Sequence, residues 1–267
     1  MSLKALDCDA PIDPALVIQN GCAAIGRYQS MTRAELDAYT AAHLWVWMFF
    51  ELSTSDVLGG ESAGAAHAAQ ALQAIASWVL PKGTVVTVFF ACDTDPAGLP
   101  GGPSGAVPYW RGASAVRQSG HRCGAYISAS GANALLDAGV VDRICIPNAP
   151  AWADGQTAKR IDIEQGPQEL WGNLYVDYPD AVYTTDCLFN ATGNYPDPQA
   201  QEDPVRLFIC TDVPADVSRA QLVAGNTRLG LNPAETAKWE AFCNQHGEVF
   251  TGAYWKDLVS ALPLQKG

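Results

Sequence analysis

Asp93 and Asp95 stand two residues apart at the end of the apolar run Val85-Val86-Thr87-Val88-Phe89-Phe90-Ala91-Cys92. Carboxylates so spaced are a starting point for acid–base chemistry. Residues two apart on a strand share a face, so both side chains are expected to point the same way as the chain leaves its sheet. Like charges held close push their pKa values apart, and one site then offers a proton donor beside a base. The run itself, β-branched and aromatic without polar alternation, suits a strand covered on both faces, as in the parallel sheet of an α/β protein. The carboxyl ends of such strands are where these folds place their sites.

Further carboxylates follow other apolar runs: Asp7 and Asp9 the first, Glu51 the third and Asp177 the last. Asp9, followed by Pro11 and Pro14, fits a turn or cap. Asp7, Glu51, Asp93, Asp95 and Asp177 are expected to converge on one mouth, where burying several carboxylates has a cost that function or pairing must offset. Two carboxylates flanking a sugar are what glycoside hydrolysis needs, one protonating the leaving oxygen and the other acting as base, nucleophile or charge stabiliser. Tyr28, Tyr126, Trp152 and Tyr178 fall at or just beyond predicted strand ends, where they are candidates for stacking on sugar or for plain packing. Gln165 is placed to orient a hydroxyl or to be a satisfied buried amide. The Asp93-x-Asp95 pair also matches the metal-holding pair of nucleotide-sugar glycosyltransferases, but no glycine-rich phosphate-binding turn accompanies it. The histidines form no H-x-H or H-E-x-x-H and the cysteines no C-x-x-C, so no metal and no cofactor is expected.

Eight strands must position these groups, at 3–8, 23–29, 44–52, 85–93, 122–128, 143–148, 159–165 and 170–178. Between them helices are predicted over 32–42, with Thr32 opening a capping box, and over 61–79, 107–119 and 130–138. The connections at 149–158 and 166–169 are too short for full helices. This alternation predicts a (β/α)8 TIM-like barrel with degenerate late helices. The barrel is expected over residues 1–190, with the Pro/Gly-rich stretch 96–105 as a rim loop and 191–204 as a linker. Residues 205–267 are expected to be a small α+β module, with a strand at 205–210 and helices at 219–223, 233–246 and 254–261. Its core is marginal alone, so it should lean on the barrel or on a partner.

At 267 residues, with 48% apolar and 16% charged residues, the chain is an ordered globular protein. A net charge of −12 without any basic cluster argues against nucleic acid as a partner. No apolar run reaches membrane-spanning length, and the opening Met1-Ser2-Leu3-Lys4 lacks the pattern of a secretory signal. Of the eight cysteines, Cys8, Cys92, Cys145 and Cys210 sit inside strand-like runs, which favours reduced, buried thiols over disulfides.

The order and spacing of several short motifs carry a resemblance. Leu6-Asp7, Gly26-Arg27-Tyr28, Phe50-Glu51, the Ala-rich helix from Gly64 to Ala76, Phe89 through Asp95, Gly124-Ala125-Tyr126, Ala151-Trp152, Gln165 and Val176-Asp177-Tyr178 fall in the order seen in the glycoside-hydrolase-like barrels called domain of unknown function 1906. These are distant relatives of the family 25 (Chalaropsis-type) lysozymes. The resemblance implies that Asp95 is the general acid, a methylene shorter than the glutamate of the lysozymes. Asp93 would be its electrostatic partner, and Asp7 and Asp177 supporting carboxylates. It further implies bacterial cell-wall polysaccharide, peptidoglycan or arabinogalactan, as the target. The family it resembles occurs in actinobacterial secreted proteins and in phage lysins and tail proteins; without a leader pattern, and with a small aromatic-rich module after the barrel, the expected setting is a phage virion tail or a released lysin, with residues 205–267 expected to attach to other phage tail proteins. Two functions fit: an envelope glycosidase, or a catalytically inactive barrel that binds glycan or serves as a structural minor tail protein.

Overall fold

The structure, a computed structural model, describes residues 2–149, 152 and 155–195, and beyond them four strands between 206 and 250. Strands β1 (Leu3–Asp7), β2 (Ala24–Tyr28), β3 (Trp45–Phe50), β4 (Thr87–Ala91), β5 (Arg122–Tyr126), β6 (Arg143–Ile146) and β7 (Ile163–Glu164) lie parallel, each beside the next. The eighth position differs from expectation. The stretch 170–178 is not one strand but parts of a hairpin, β8 (Gln168–Trp171) and β9 (Leu174–Val182). β9 runs antiparallel to both β7 and β1 and closes the ring. A parallel return needs a crossover of about a dozen residues or more. The chain between β7 and β9 is shorter, so it turns back instead.

Among the described residues five helices flank the ring: α1 (Pro14–Gln19), α2 (Arg33–Ala41), α3 (Gly60–Ser77), α4 (Val107–Ala113) and α5 (Ala129–Asp137). Thr32 caps α2, its hydroxyl accepting from the Glu35 N–H at 3.2 Å. The capping box stays half made, because the Glu35 carboxylate instead takes the buried Arg27 Nε at 2.6 Å and the Tyr39 hydroxyl at 3.0 Å. α4 is shorter than the expected 107–119, since from Ser114 the chain tightens into a 3-10 turn that ends at Gly120 in the left-handed region.

Strand alternation sorts the side chains into two apolar layers. Leu6, Ile25, Val46, Met48, Phe50, Val88, Phe90 and Ile144 pack outward against the helices. Ala5, Ala24, Trp47, Phe49, Phe89, Cys145 and Ile163 fill the ring. Small residues face large ones inside. A Cβ on Gly26 would lie 2.5 Å from the Trp47 ring and 2.6 Å from Cβ of Asp7, so only glycine lets Trp47 pass beneath Asp7. The six cysteines among the described residues are free and buried.

Of the stretch expected as a linker, 191–204, residues 191–195 belong to the first unit. Residues 191 and 192 turn between β10 (Phe189–Asn190) and β11 (Gly193–Asn194), and Phe189 pairs with Val46 on β3. The first compact unit thus runs from Met1 to Tyr195. A second, Pro196–Gly267, contains β12 (Arg206–Cys210), β13 (Gln221–Ala224), β14 (Thr227–Gly230) and β15 (Glu248–Phe250) in the order β14-β13-β12-β15. The strand expected at 205–210 corresponds to β12. The helix expected at 219–223 does not form over its last three residues, which begin β13. Two residues of hairpin type, Gly225-Asn226, separate β13 from the antiparallel β14, and that pairing overrides a local helical pattern. The helices expected at 233–246 and 254–261 lie outside the described residues.

Candidate active site

At the carboxyl ends of the parallel strands, Gln165 is the hub. Its Nε2 donates to Asp7 Oδ2 at 3.2 Å and to Asp177 Oδ2 at 3.0 Å. Its Oε1 accepts from the Tyr126 hydroxyl at 2.9 Å and from the Asn148 N–H at 3.2 Å. One amide thus ties β1, β5, β7 and β9 together, and it is a fully satisfied amide as well as a positioning group. Because β9 runs antiparallel, Asp177 enters this mouth from near the start of its strand rather than from its end, opposite Asp7 in the register.

Asp180 belongs to the same cluster and escaped the sequence-based expectation. On a regular strand, residues three apart face opposite sides. Here Asp7 pairs with Asp177 and Ala5 with Asp180, so three residues of β9 span two of β1, and this bulge turns both aspartates inward. Pro179, which cannot donate to a sheet ladder, was the available signal. Asp180 is 1% exposed and accepts from the Gly166 N–H at 2.8 Å, while its Oδ2 is buried with no conventional donor. Asp7 is within its hydrogen-bonding reach, and two carboxyl groups satisfy each other only by sharing a proton. Burial, with the charges of Asp180 and Asp177, raises the Asp7 pKa well above the usual carboxylate range. Burial pushes Asp180 up to about 7 and Asp177 up to about 6, with Asp93 adding to the rise at Asp177.

Glu51 follows β3 directly. The Gln29 amide clamps its backbone, Nε2 donating to the Glu51 carbonyl at 2.6 Å and Oε1 accepting the Glu51 N–H at 3.2 Å. Gln29 was a second omission from the expected site. Burial, then the charges of Asp93 and Asp56, push the Glu51 pKa up to about 7. Asp93 is exposed and its charge is felt at Glu51, Asp177, Tyr28 and Tyr126, which places it over the same mouth. Phe49 forms the floor, its ring 5.5 Å from Tyr28 and 5.6 Å from Tyr126.

Three expected site residues are not drawn into this group. Asp95 caps a 3-10 turn at Pro96–Gly98, its Oδ1 accepting from the Ala97 N–H at 2.9 Å. β4 ends at Ala91, so strand alternation does not carry as far as Asp95. Tyr178 faces the outer layer, where its ring lies 4.9 Å from Trp171 and its hydroxyl meets Lys4 Nζ and, at 3.2 Å, the Asn20 carbonyl. The same bulge that turns Asp177 and Asp180 inward leaves it outside. Trp152, half-buried, lies on the loop after β6, and its backbone N–H donates to the Ala149 carbonyl at 2.9 Å. Among the described residues no group of three or more His, Cys, Asp or Glu could hold a metal ion. The arrangement is an acidic, aromatic-walled mouth with carboxyl groups that exchange protons near neutrality, suited to acid–base work on a neutral, hydroxyl-rich substrate.

Two crystal structures of the Tat-secreted protein Rv2525c of Mycobacterium tuberculosis, in complex with HEPES and with L-tartrate, share this fold. Their TM-scores are 0.58 and 0.57, at 20% identity over 68% of this chain and 96% of theirs. No curated protein matches the sequence. The family model of the Rv2525c-like, glycoside hydrolase-like domain matches residues 16–181, from within α1 to the penultimate residue of β9, and the chain belongs to that family.

Proposed function

We propose that the barrel hydrolyses glycosidic bonds in bacterial cell-envelope glycan, peptidoglycan or arabinogalactan. The observation that carries this reading is the convergence of Glu51, Asp93, Asp177 and Asp7 from four strands on one aromatic-floored mouth, in a chain of a glycoside hydrolase-like family. Glu51, with a pKa of about 7, donates its proton to the leaving oxygen as the C–O bond breaks. The exposed Asp93 carboxylate stabilises the positive charge that develops on the sugar. Asp177, held by Gln165, takes the proton of the incoming water. The setting in this reading is a phage tail or a lysin, with residues 205–267 as the attachment element, and it rests on the sequence alone.

One observation favours a second reading, a glycan-binding barrel without turnover. The resemblance assigns the acid to Asp95, whose carboxylate is here engaged in capping a turn. The test is incubation of the wild-type chain, Glu51→Gln and Asp95→Asn with actinobacterial cell wall, peptidoglycan and arabinogalactan, following soluble fragments by mass spectrometry. Release that is lost in Glu51→Gln and kept in Asp95→Asn supports the roles given above. Undiminished release by Glu51→Gln overturns them, and wild-type protein that pellets with the wall but frees nothing establishes the second reading.

A further inference from the structure

The β8–β9 hairpin has two unlike faces. In its register Gln168 pairs with Asp177, Glu169 with Val176, Leu170 with Tyr175 and Trp171 with Leu174. Trp171, Leu174, Val176 and Tyr178 turn toward the outer apolar layer, and Val176 is 1% exposed. The other face carries Gln168, Leu170 and Tyr175 in line with Asp177, and it is bare. Leu170 is 57% and Tyr175 61% exposed, although they form a directly opposed cross-strand pair. Gly172, at a φ of 68°, supplies the left-handed position of the tight turn between the two strands.

Because Asp177 sits at the barrel mouth, the residues before it on β9 stand above the rim. Tyr175 is two residues from Asp177 on the same face, a rise of about 7 Å. That is about the span of one sugar unit beyond the reacting centre. We infer that the Leu170–Tyr175 face is a sugar-stacking subsite, continuous with the carboxylate mouth, that takes a neighbouring unit of a polysaccharide chain. The unit that occupies it is an uncharged sugar of the chain, for two reasons. The mouth it adjoins is lined by carboxylates that repel anions, and an exposed tyrosine ring beside a leucine offers an apolar platform with a polar edge. Gln168, exposed on the same face between Tyr175 and the rim, supplies an amide for sugar hydroxyls. The substrate class this implies is the interior of a glycan chain rather than a terminal sugar.

The inference rests on the proposed envelope-glycan function, and the test separates the two. In the full chain carrying Glu51→Gln, affinity is measured by calorimetry for size-fractionated soluble fragments of peptidoglycan glycan strands and of arabinogalactan. Adding Tyr175→Ala is expected to lower affinity for the longer fragments about tenfold while leaving disaccharides unaffected, and Tyr175→Phe is expected to retain it. Binding of every fragment length by the Tyr175→Ala variant as tight as that of the Glu51→Gln chain alone, with fragment release by the otherwise wild-type chain intact, overturns the subsite and leaves the function standing. A wild-type chain that neither binds nor cleaves any of these glycans overturns both.

Discussion

Replacing Asp180 with Asn should stabilise the protein at neutral pH, and the size of the effect follows from its burial. Asp180 is 1% exposed, and its pKa rises from 3.8 to about 7 on folding. A carboxyl group whose pKa is raised by folding binds its proton more tightly in the native than in the unfolded chain. Its contribution is therefore fully present below about pH 4, falls as pH rises, and is level again above about pH 7. At about 1.4 kcal/mol per pKa unit, the whole span is about 4 kcal/mol. Asn is never ionised. Its Oδ1 keeps the Gly166 N–H bond, and its Nδ2 donates to Asp7 without a shared proton. The variant should thus gain stability relative to wild type by about 3 kcal/mol between pH 5 and pH 8. Urea unfolding of both full-length chains at those two pH values reads this directly, as a difference in midpoint that widens with pH. An Asn variant less stable than wild type at pH 8, or a difference that does not change with pH, would refute the proton-sharing account of the Asp7–Asp180 pair.

Two further outcomes are expected. The pH profile of glycan release should be a narrow bell, because the Glu51 proton is lost as pH rises through about 7 and the Asp177 carboxylate is lost as pH falls through about 6; activity still climbing beyond pH 8 would remove Glu51 from the role of acid. Gly26→Ala should destabilise by about 1–3 kcal/mol and lower activity together, since its methyl group meets both Trp47 and Asp7; thermal unfolding at wild-type temperature would show that the ring yields there at no cost.

The strands from β2 to β6 were legible because each carries an apolar run ended by polar or turn residues, and burial on both faces leaves that mark whatever the neighbouring strands are; of the charged stretch expected as the seventh strand, 159–165, only Ile163–Glu164 pairs as β7. The last strand was not legible. Gly172, Asn173 and Pro179 interrupt the apolar run, and chain direction depends on connection length more than on any residue type. Asp7, Glu51, Asp93 and Gln165 could be placed at the mouth from position alone, each lying within two residues of a strand end. Asp180 was hidden because a bulge reverses the face that alternation assigns it. Asp95 was over-extended for the converse reason: the alternation was carried four residues beyond the end of β4, into a turn with its own hydrogen-bonding demand.

The reversed β9 has a consequence for how this fold tolerates change. In a ring made wholly of parallel strands, a loop at the rim joins a strand to a helix that must pack outside, so altering its length disturbs the packing of both. Here Gly172 and Asn173 join two arms that are hydrogen-bonded chiefly to each other, and β8 pairs with no strand but β9 among those described. Added sequence at that tip would lengthen one bank of the cleft without asking any barrel contact to re-form. Only a few residues along the same strand stands Asp180, among the most deeply enclosed groups in the molecule. A segment open to variation thus leads directly into one that is closed to it, and specificity can drift at the tip while the proton chemistry beneath stays fixed.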